Sequence, residues 1–449
     1  PNEYCSVNEA YDLRKLLRPA RAAPGMVPSN PNAMDMFMVG KVVGVGSYGK
    51  VRAAWHRLTG AKVAIKTYDK TKMKDPAHWK RVQSEIKIME QVSHPRIARM
   101  YEAVETTKRM HILMECIEGG NLCSYVKSKR RLSEEESRRI FFQLLQAMDY
   151  LHNLNFVHRD IKLENVLFGE VKDVKLIDFG FSTVHQQGKR LRVFCGTPSY
   201  MAPEIVKRTE YEGKPTDMWS MGILLYALLC GCFPFRARTY PDLYRRIARG
   251  YFSVPDDLSP AVRDLLHQLL SLDANTRCTA AAALRHPWLQ SQLISAPDMS
   301  RLKAENPVLI SDRAGDDLDE QVLAEVQNFG IPREEIVRAI SNKVHCSLTT
   351  MYYLLRQKIV VSRRVQSNSA ASRKSAPSMS GKKPVTGAYA LSAAAAAAAS
   401  SGRQENVPPQ LLQGVLNSTR PRSASAGRLT GGYNSRPRSA NATRQGGRA

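Results

Sequence analysis

VHRDIKLEN, Val157 to Asn165, sets Arg159, Asp160, Lys162, Glu164 and Asn165 almost side by side, with few apolar residues between them. Such a stretch is not core, because uncompensated charges are costly to bury. It reads as a loop that presents polar groups to something else. Working outward, LIDFG follows at Leu176 to Gly180 and APE at Ala202 to Glu204. Upstream lie EIKIME with Glu85, VAIK with Lys66 nineteen positions earlier, and GVGSYGKV with Gly44, Gly46 and Gly49. The glycine spacing alone is ambiguous, since dinucleotide-binding turns and ordinary loops share it. The whole ordered set is far harder to reach by chance.

Taken together, these motifs resemble the eukaryotic protein kinases over residues 37–289. The resemblance implies an α+β, bilobal fold with a small β-rich lobe and a large helical lobe, using ATP and Mg2+. It also implies roles for named residues. Gly44, Gly46 and Gly49 would let backbone amides approach the ATP phosphates, with Tyr48 at the loop tip. Val51, Ala64 and Leu167 would line the adenine pocket, behind which Met114 stands, and Glu115 to Ile117 would form the hinge. Lys66 would meet the α- and β-phosphates, held by a charge-assisted pair with Glu85. Asp178 and Asn165 would hold magnesium through hard oxygen donors. Asp160 would orient the acceptor hydroxyl, Lys162 would neutralise the moving phosphoryl group, and Thr197 would brace both. The HRDxK order resembles serine/threonine rather than tyrosine kinases, and Phe181 after DFG implies a preference for Ser. Asp217, the Glu204–Arg277 pair and the stack of Met89, Met100, His158 and Phe179 would be architectural.

Composition fits this reading. A chain of 449 residues with 43% apolar content has enough material for more than one unit. The apolar run from Gly222 to Phe235 is shorter than the roughly 18 to 20 residues of a membrane-spanning helix, and Pro234 interrupts it. The first residues, which begin at Pro1 rather than Met, lack a secretory h-region, so a cytoplasmic protein is expected. Eight scattered cysteines read as reduced thiols and not as a disulfide framework or zinc site.

Beyond residue 289 the pattern changes. Residues 1–33 read as a flexible leader and 290–315 as a linker. Residues 316–357 carry three short helix-period patterns, with Pro332 suited to a first helical turn. VLAEVQNFGIPREEIVRAI followed by TTMYYLL resembles a ubiquitin-associated-like domain, although a generic three-helix bundle reads the same way. A kinase followed by such a domain is similar to the AMP-activated kinase catalytic subunit and the microtubule-affinity-regulating kinases. That resemblance implies regulation by the small domain and regulatory subunits as partners.

Residues 361–449 hold 14 Lys/Arg and one acidic residue, Glu405, and so supply +13 of the chain's net +25. This Ser/Ala/Arg-rich tail reads as disordered. RPRSA occurs twice in it, around Ser423 and Ser439. Its charge would attract an acidic surface, with microtubules or a ciliary cytoskeleton the expected contact and a cytoskeleton- or cilium-associated location to match. No base-reading module is visible, so no specific nucleic acid is expected.

Two departures from the family pattern stand out. Val193 occupies the position where an activating Thr is usual, and a phosphate of about −1.5 to −2 charge would be missing there. Arg159, Lys189, Arg190 and Arg192 would then lack their anion. The loop would be ordered by valine packing, by modification at Ser182, Thr183 or Ser199, or by a partner; the sequence leaves all three open. Asn121 and Arg245 stand where acidic residues attract basic peptides, leaving Glu164. The expected function is transfer of the ATP γ-phosphate to protein Ser/Thr hydroxyls without phosphorylation at position 193. The alternative is a kinase-fold scaffold bound to the cytoskeleton through its tail.

Overall fold

The computed structural model describes residues 33–45, 49–169, 173–186, 188–294 and 318–374. The expected leader, Gly46, Tyr48, most of the linker and the tail beyond 374 lie outside these residues. Strands β1 (Phe37–Val45), β2 (Gly49–His56), β3 (Lys62–Asp69), β4 (Met100–Glu105) and β5 (Arg109–Glu115) form one antiparallel sheet in the order β1-β2-β3-β5-β4. Helix α1 (Pro76–Met89) crosses between β3 and β4; Asp75 caps it by accepting from the Ala77 amide at 2.8 Å, and Pro76 opens the first turn. This is the small lobe.

The large lobe is helical. It contains α2 (Leu122–Lys129), α3 (Glu134–Asn153), α4 (Pro203–Val206), α5 (Gly213–Cys230), α6 (Tyr240–Arg249), α7 (Pro260–Leu269), α8 (Ala280–Leu284) and α9 (Pro287–Ile294). Short strands β6 (Phe156–Val157), β7 (Val166–Phe168), β8 (Val174–Leu176) and β9 (Thr183–Val184) carry the loops between α3 and α4. Ser133 caps α3, and Glu134, Glu135 and Glu136 in its first turn suit the positive end of the helix dipole. Helix α5 is buried along nearly its whole length, as its apolar run requires. One apolar core joins both lobes, from Ile86, Met89 and Met100 through Phe179 to Trp219 and Trp288. Helix α9 reaches Ile294, into the stretch expected as linker.

Three further helices follow: α10 (Glu320–Gln327), α11 (Arg333–Ser341) and α12 (Ser347–Lys374). Val322, Leu323, Val326, Ile336, Met351 and Tyr352 form their own core. Helix α12 runs past the expected boundary at 357 and into the segment expected to be disordered from 361. No Gly or Pro interrupts residues 358–374, and Arg363 forks onto the Asp319 carboxylate at 2.8 and 3.3 Å, tying the extension to the cap of α10.

The three-helix segment packs on β4, the edge of the sheet. Leu354 enters the apolar cluster of Ile65, Tyr101, Val104 and Leu113, and burying such a side chain stabilises by roughly 1.5–3 kcal/mol. Tyr101 donates its hydroxyl to Gln357 Oε1 at 2.9 Å. His345 places Nδ1 3.1 Å from the Tyr101 carbonyl and Nε2 3.0 Å from the carbonyl of Glu90, the residue that ends α1. A neutral imidazole has one N–H and so donates to only one of these two carbonyls at a time.

Glu102 on β4 is buried, and Ser347 Oγ lies 3.2 Å from each of its carboxylate oxygens. Burial raises its pKa from 4.5 to about 8, against the opposing help of the Ser347 and Thr350 hydroxyls. The sign follows: an acid whose pKa is raised in the docked state holds a proton there that it lacks when released. Docking is therefore favoured at low pH and weakens as pH rises from 4.5 to about 8. Hydrogen exchange in residues 344–358, corrected for intrinsic rates, is expected to speed up between pH 6 and pH 9. Glu102→Gln should remove most of that dependence; an unchanged slope in the variant would refute it.

Candidate active site

The catalytic loop hangs from one buried carboxylate. Asp217 of α5 accepts from the backbone amides of His158 at 2.9 Å and Arg159 at 2.8 Å, and His152 Nε2 lies 3.0 Å from it. These bonds hold Arg159 at φ 64°, a left-handed conformation that costs a non-glycine residue about 1 kcal/mol. The next residue is thereby fixed.

That residue, Asp160, is buried and gathers its expected partners. Lys162 Nζ donates to Asp160 Oδ2 at 2.6 Å and to Thr197 Oγ1 at 3.1 Å, while the Thr197 hydroxyl donates to Asp160 Oδ1 at 2.9 Å. Asn165 Nδ2 donates to the Asp160 carbonyl at 2.9 Å and to Oδ2 at 3.1 Å. The Asn165 nitrogen is thus committed, which leaves its amide oxygen as the atom suited to a hard cation. Gly196, at φ 105°, sits beside the Arg159 carbonyl, where an added Cβ would come within 3.1 Å.

A second cluster forms around Lys66. Its Nζ donates to Glu85 Oε1 at 2.7 Å and to Asp178 Oδ1 at 2.9 Å. Burial works against the ammonium charge, but Glu85 and Asp178 outweigh it and hold the Lys66 pKa well above the lysine range. Burial likewise opposes the Asp178 carboxylate, and the neighbouring Lys66 brings its pKa below the ordinary value. Asp178 also has positive φ, 67°. Glu85 Oε2 accepts a 2.6 Å bond from the Tyr68 hydroxyl, so both its oxygens are occupied. The donor set of Asp178 and Asn165, carboxylate and amide oxygens, fits magnesium.

The other nucleotide-side residues fall where the strands put them. Gly44 is the second-last residue of β1 and Gly49 starts β2; at Gly49 a Cβ would lie 2.6 Å from the Thr67 carbonyl, so β2 and β3 approach too closely there for a side chain. Val51 pairs with Lys66 and Ala64 with Met114 across the ladder, and Leu167 bridges to Asn121. The Glu115 amide is spent on the Arg99 carbonyl at 2.9 Å, and Lys175 meets its carboxylate at 2.7 Å. Ile117 lies beyond the end of β5, half-buried. Asn121 is the cap of α2, accepting from the Ser124 amide at 2.8 Å.

Around Val193 the structure differs from the charge-based expectation. Arg159 has a partner without any phosphate: its Nε donates to the Phe181 carbonyl at 2.6 Å. Arg192 pairs with Glu210. Val193 is 46% exposed, so hydrophobic packing is not what holds it. The loop is tied instead by reciprocal backbone bonds between Leu191 and Tyr211, at 2.8 and 2.9 Å, and by the Tyr211 hydroxyl, which donates to the Val193 carbonyl at 2.8 Å. Burial pushes the Tyr211 hydroxyl up to about 12, so it stays a donor. Sequence reasoning missed Tyr211 and Tyr68. Tyr68 had a signal, being two residues from Lys66 on one strand; Tyr211 had none.

The protein kinase domain model matches residues 37–289 of the chain. Among curated proteins, the chain is 36% identical over 322 residues to "SNF1-related protein kinase catalytic subunit alpha KIN12" of Arabidopsis thaliana, covering 71% of this chain and 63% of that protein. It is 37% identical over 323 residues to "Serine/threonine protein kinase OSK4" of Oryza sativa, covering 72% and 62%. With "Serine/threonine-protein kinase SIK1" of Rattus norvegicus it shares 34% over 351 residues, covering 77% and 44%. The chain thus spans less than two thirds of these relatives' length. The family match, however, takes in more than half of the chain and contains both clusters around Asp160 and Lys66, so this protein belongs to the protein kinase domain family.

Proposed function

We propose that the chain transfers the γ-phosphoryl group of ATP to Ser or Thr hydroxyls of proteins. The observation that carries this reading is the meeting of the Asp160–Lys162–Thr197–Asn165 network with the Lys66–Glu85–Asp178 cluster in one fold. Phosphoryl transfer asks mainly for positioning and charge neutralisation. Asp160 orients the acceptor hydroxyl and takes up its proton as the bond forms. Lys162, held by Asp160 and Thr197, offsets charge on the phosphoryl oxygens. Lys66 stays protonated beside two carboxylates and meets the phosphates. Asp178 and Asn165 would hold magnesium, which when bound neutralises phosphate charge. The names of the relatives support Ser/Thr as acceptors.

Independence from phosphate at position 193 belongs to the same reading, supported by the Tyr211 and Arg159 bonds. So does a ubiquitin-associated-like identity for α10 to α12, with control exerted where His345 meets the end of α1, the helix that carries Glu85. The scaffold alternative, with its microtubule contact, draws on Val193 and on the basic charge of residues 361–449, of which 361–374 are described. The test is magnesium-dependent transfer to a general Ser/Thr peptide set by phosphatase-stripped protein, with Asp178→Ala as blank. Turnover above the blank is expected. Tyr211→Phe, which removes one bond of about 1 kcal/mol, should cost a few-fold in rate. No turnover over a wide ATP range would sink the proposal.

A further inference from the structure

A basic face adjoins the acceptor side of the site. The stretch 235–251, FRARTYPDLYRRIARGY, carries Arg236, Arg238, Arg245, Arg246 and Arg249 against one acid, Asp242. All five arginines are exposed, and Asp242 is engaged by Arg245. This stretch includes α6, which lies against the segment leading to Thr197. The Phe194 ring meets Tyr244 of α6 edge-on at 6.0 Å, Tyr240 stacks on Tyr244 at 6.2 Å, and Arg208 sits over Phe194 at 4.8 Å. Lys189, Arg190, Lys207 and Arg208 are exposed on the same segment, whose own acid, Glu204, is committed to Arg277. Phe194 stands three residues before Thr197, which is bonded to Asp160.

We infer that α6 and the segment around Phe194 and Arg208 bind an acidic stretch of the protein substrate, next to its acceptor hydroxyl. The inference rests on the phosphoryl-transfer reading and names the substrate class of that site. Three observations point the same way. The positive face is only partly neutralised from within: Asp242 takes Arg245, Glu210 takes Arg192 and Glu204 is engaged by Arg277, which leaves the remaining exposed arginines and lysines in excess. Asn121, at a position where an acidic residue would attract arginine, is instead used as a helix cap. The half-exposed Phe194 and Tyr240 give a peptide apolar surface among the charges, which a merely solvated face does not need. The chain's own basic tail has the wrong sign to occupy this face.

The experiment uses the full chain and three Ser peptides of equal length, flanked by Asp, by Ala or by Arg. At about 50 mM salt the Asp peptide should show a KM about tenfold below the Ala peptide, and the gap should close near 0.5 M salt as screening shortens to a few ångström. Arg238→Glu/Arg246→Glu/Arg249→Glu should erase the preference; the corresponding triple Gln variant guards against a folding defect and should erase most of it. Fluorescence anisotropy of a labelled Asp peptide reads the same surface without turnover. Equal KM values, or a preference for the Arg peptide, would overturn the inference. So would a single-stranded oligonucleotide that binds this face more tightly than the Asp peptide. Binding of the Asp peptide by the wild type but not by the variants, with no transfer to any peptide, would uphold the surface and reject the phosphoryl-transfer reading.

Discussion

Replacing Asp178 by Ala is expected to lower phosphoryl transfer by about 10³-fold or more while leaving the melting temperature nearly unchanged. The two halves of this expectation have separate causes. A preorganised charge at the reacting centre is worth on the order of 10²–10³ in rate, and here the same carboxylate also supplies a magnesium ligand. Stability is spared because the Asp178 side chain is 41% exposed and Lys66 keeps its shorter bond to Glu85. Glu85 makes the contrast: it is buried and bonded to both Lys66 and Tyr68, so its loss would leave the Tyr68 hydroxyl without its acceptor and Lys66 with only the partly exposed Asp178. Parallel thermal melts and initial rates of Asp178→Ala check the expectation. A variant that melts many degrees lower would show the carboxylate to be structural.

Asp217→Ala should act in the opposite order, on the fold first. Two backbone amides and an imidazole lose their acceptor, in a place water does not reach. Each stranded buried donor costs about 1–3 kcal/mol, so a loss of about 3–5 kcal/mol is expected, or roughly 10 °C in melting temperature. Activity should fall as well, by about 10²-fold, because the strained φ of Arg159 is no longer imposed and Asp160 drifts from its partners. Asp217→Asn keeps one acceptor oxygen and should recover part of both. Denaturation with circular dichroism, beside single-turnover rates, separates the two effects. Full activity in Asp217→Ala would refute this account of the loop.

The residues of the two central clusters were legible in the sequence because the chemistry dictates their types. Phosphates require glycine, lysine and hard oxygen ligands, and the residues that would keep the charge of Asp178 or Lys66, Glu and Arg, differ in length and shape. The contacts that support them were not legible. Tyr211 reaches Val193 across 18 positions and His345 reaches Tyr101 across 244, and neither residue differs by type from many others. The expectation that Arg159 lacks its partner counted charges and left out carbonyls: its Nε donates to Phe181, a neutral acceptor. The run of α12 to Lys374 was missed for another reason. A polar sequence poor in large apolar residues does not order itself, yet continuation of an existing helix needs no new nucleus.

The placement of the three helices on β4 has a consequence for how the protein behaves in a tube. An edge strand offers unpaired backbone groups to any other strand that passes, and proteins cover or charge such edges to avoid aggregation. Here the cover is the three-helix segment: His345 takes the Tyr101 carbonyl and Leu354 fills the apolar cluster beside it. A chain cut after residue 294 would keep both catalytic clusters but bare the edge and expose Glu102, which the helices cover. Such a fragment is expected to self-associate on light scattering at micromolar concentration, where residues 1–376 stay monodisperse. The small helical unit is then a solubility device before it is anything else, and the catalytic lobes inherit their independence from it.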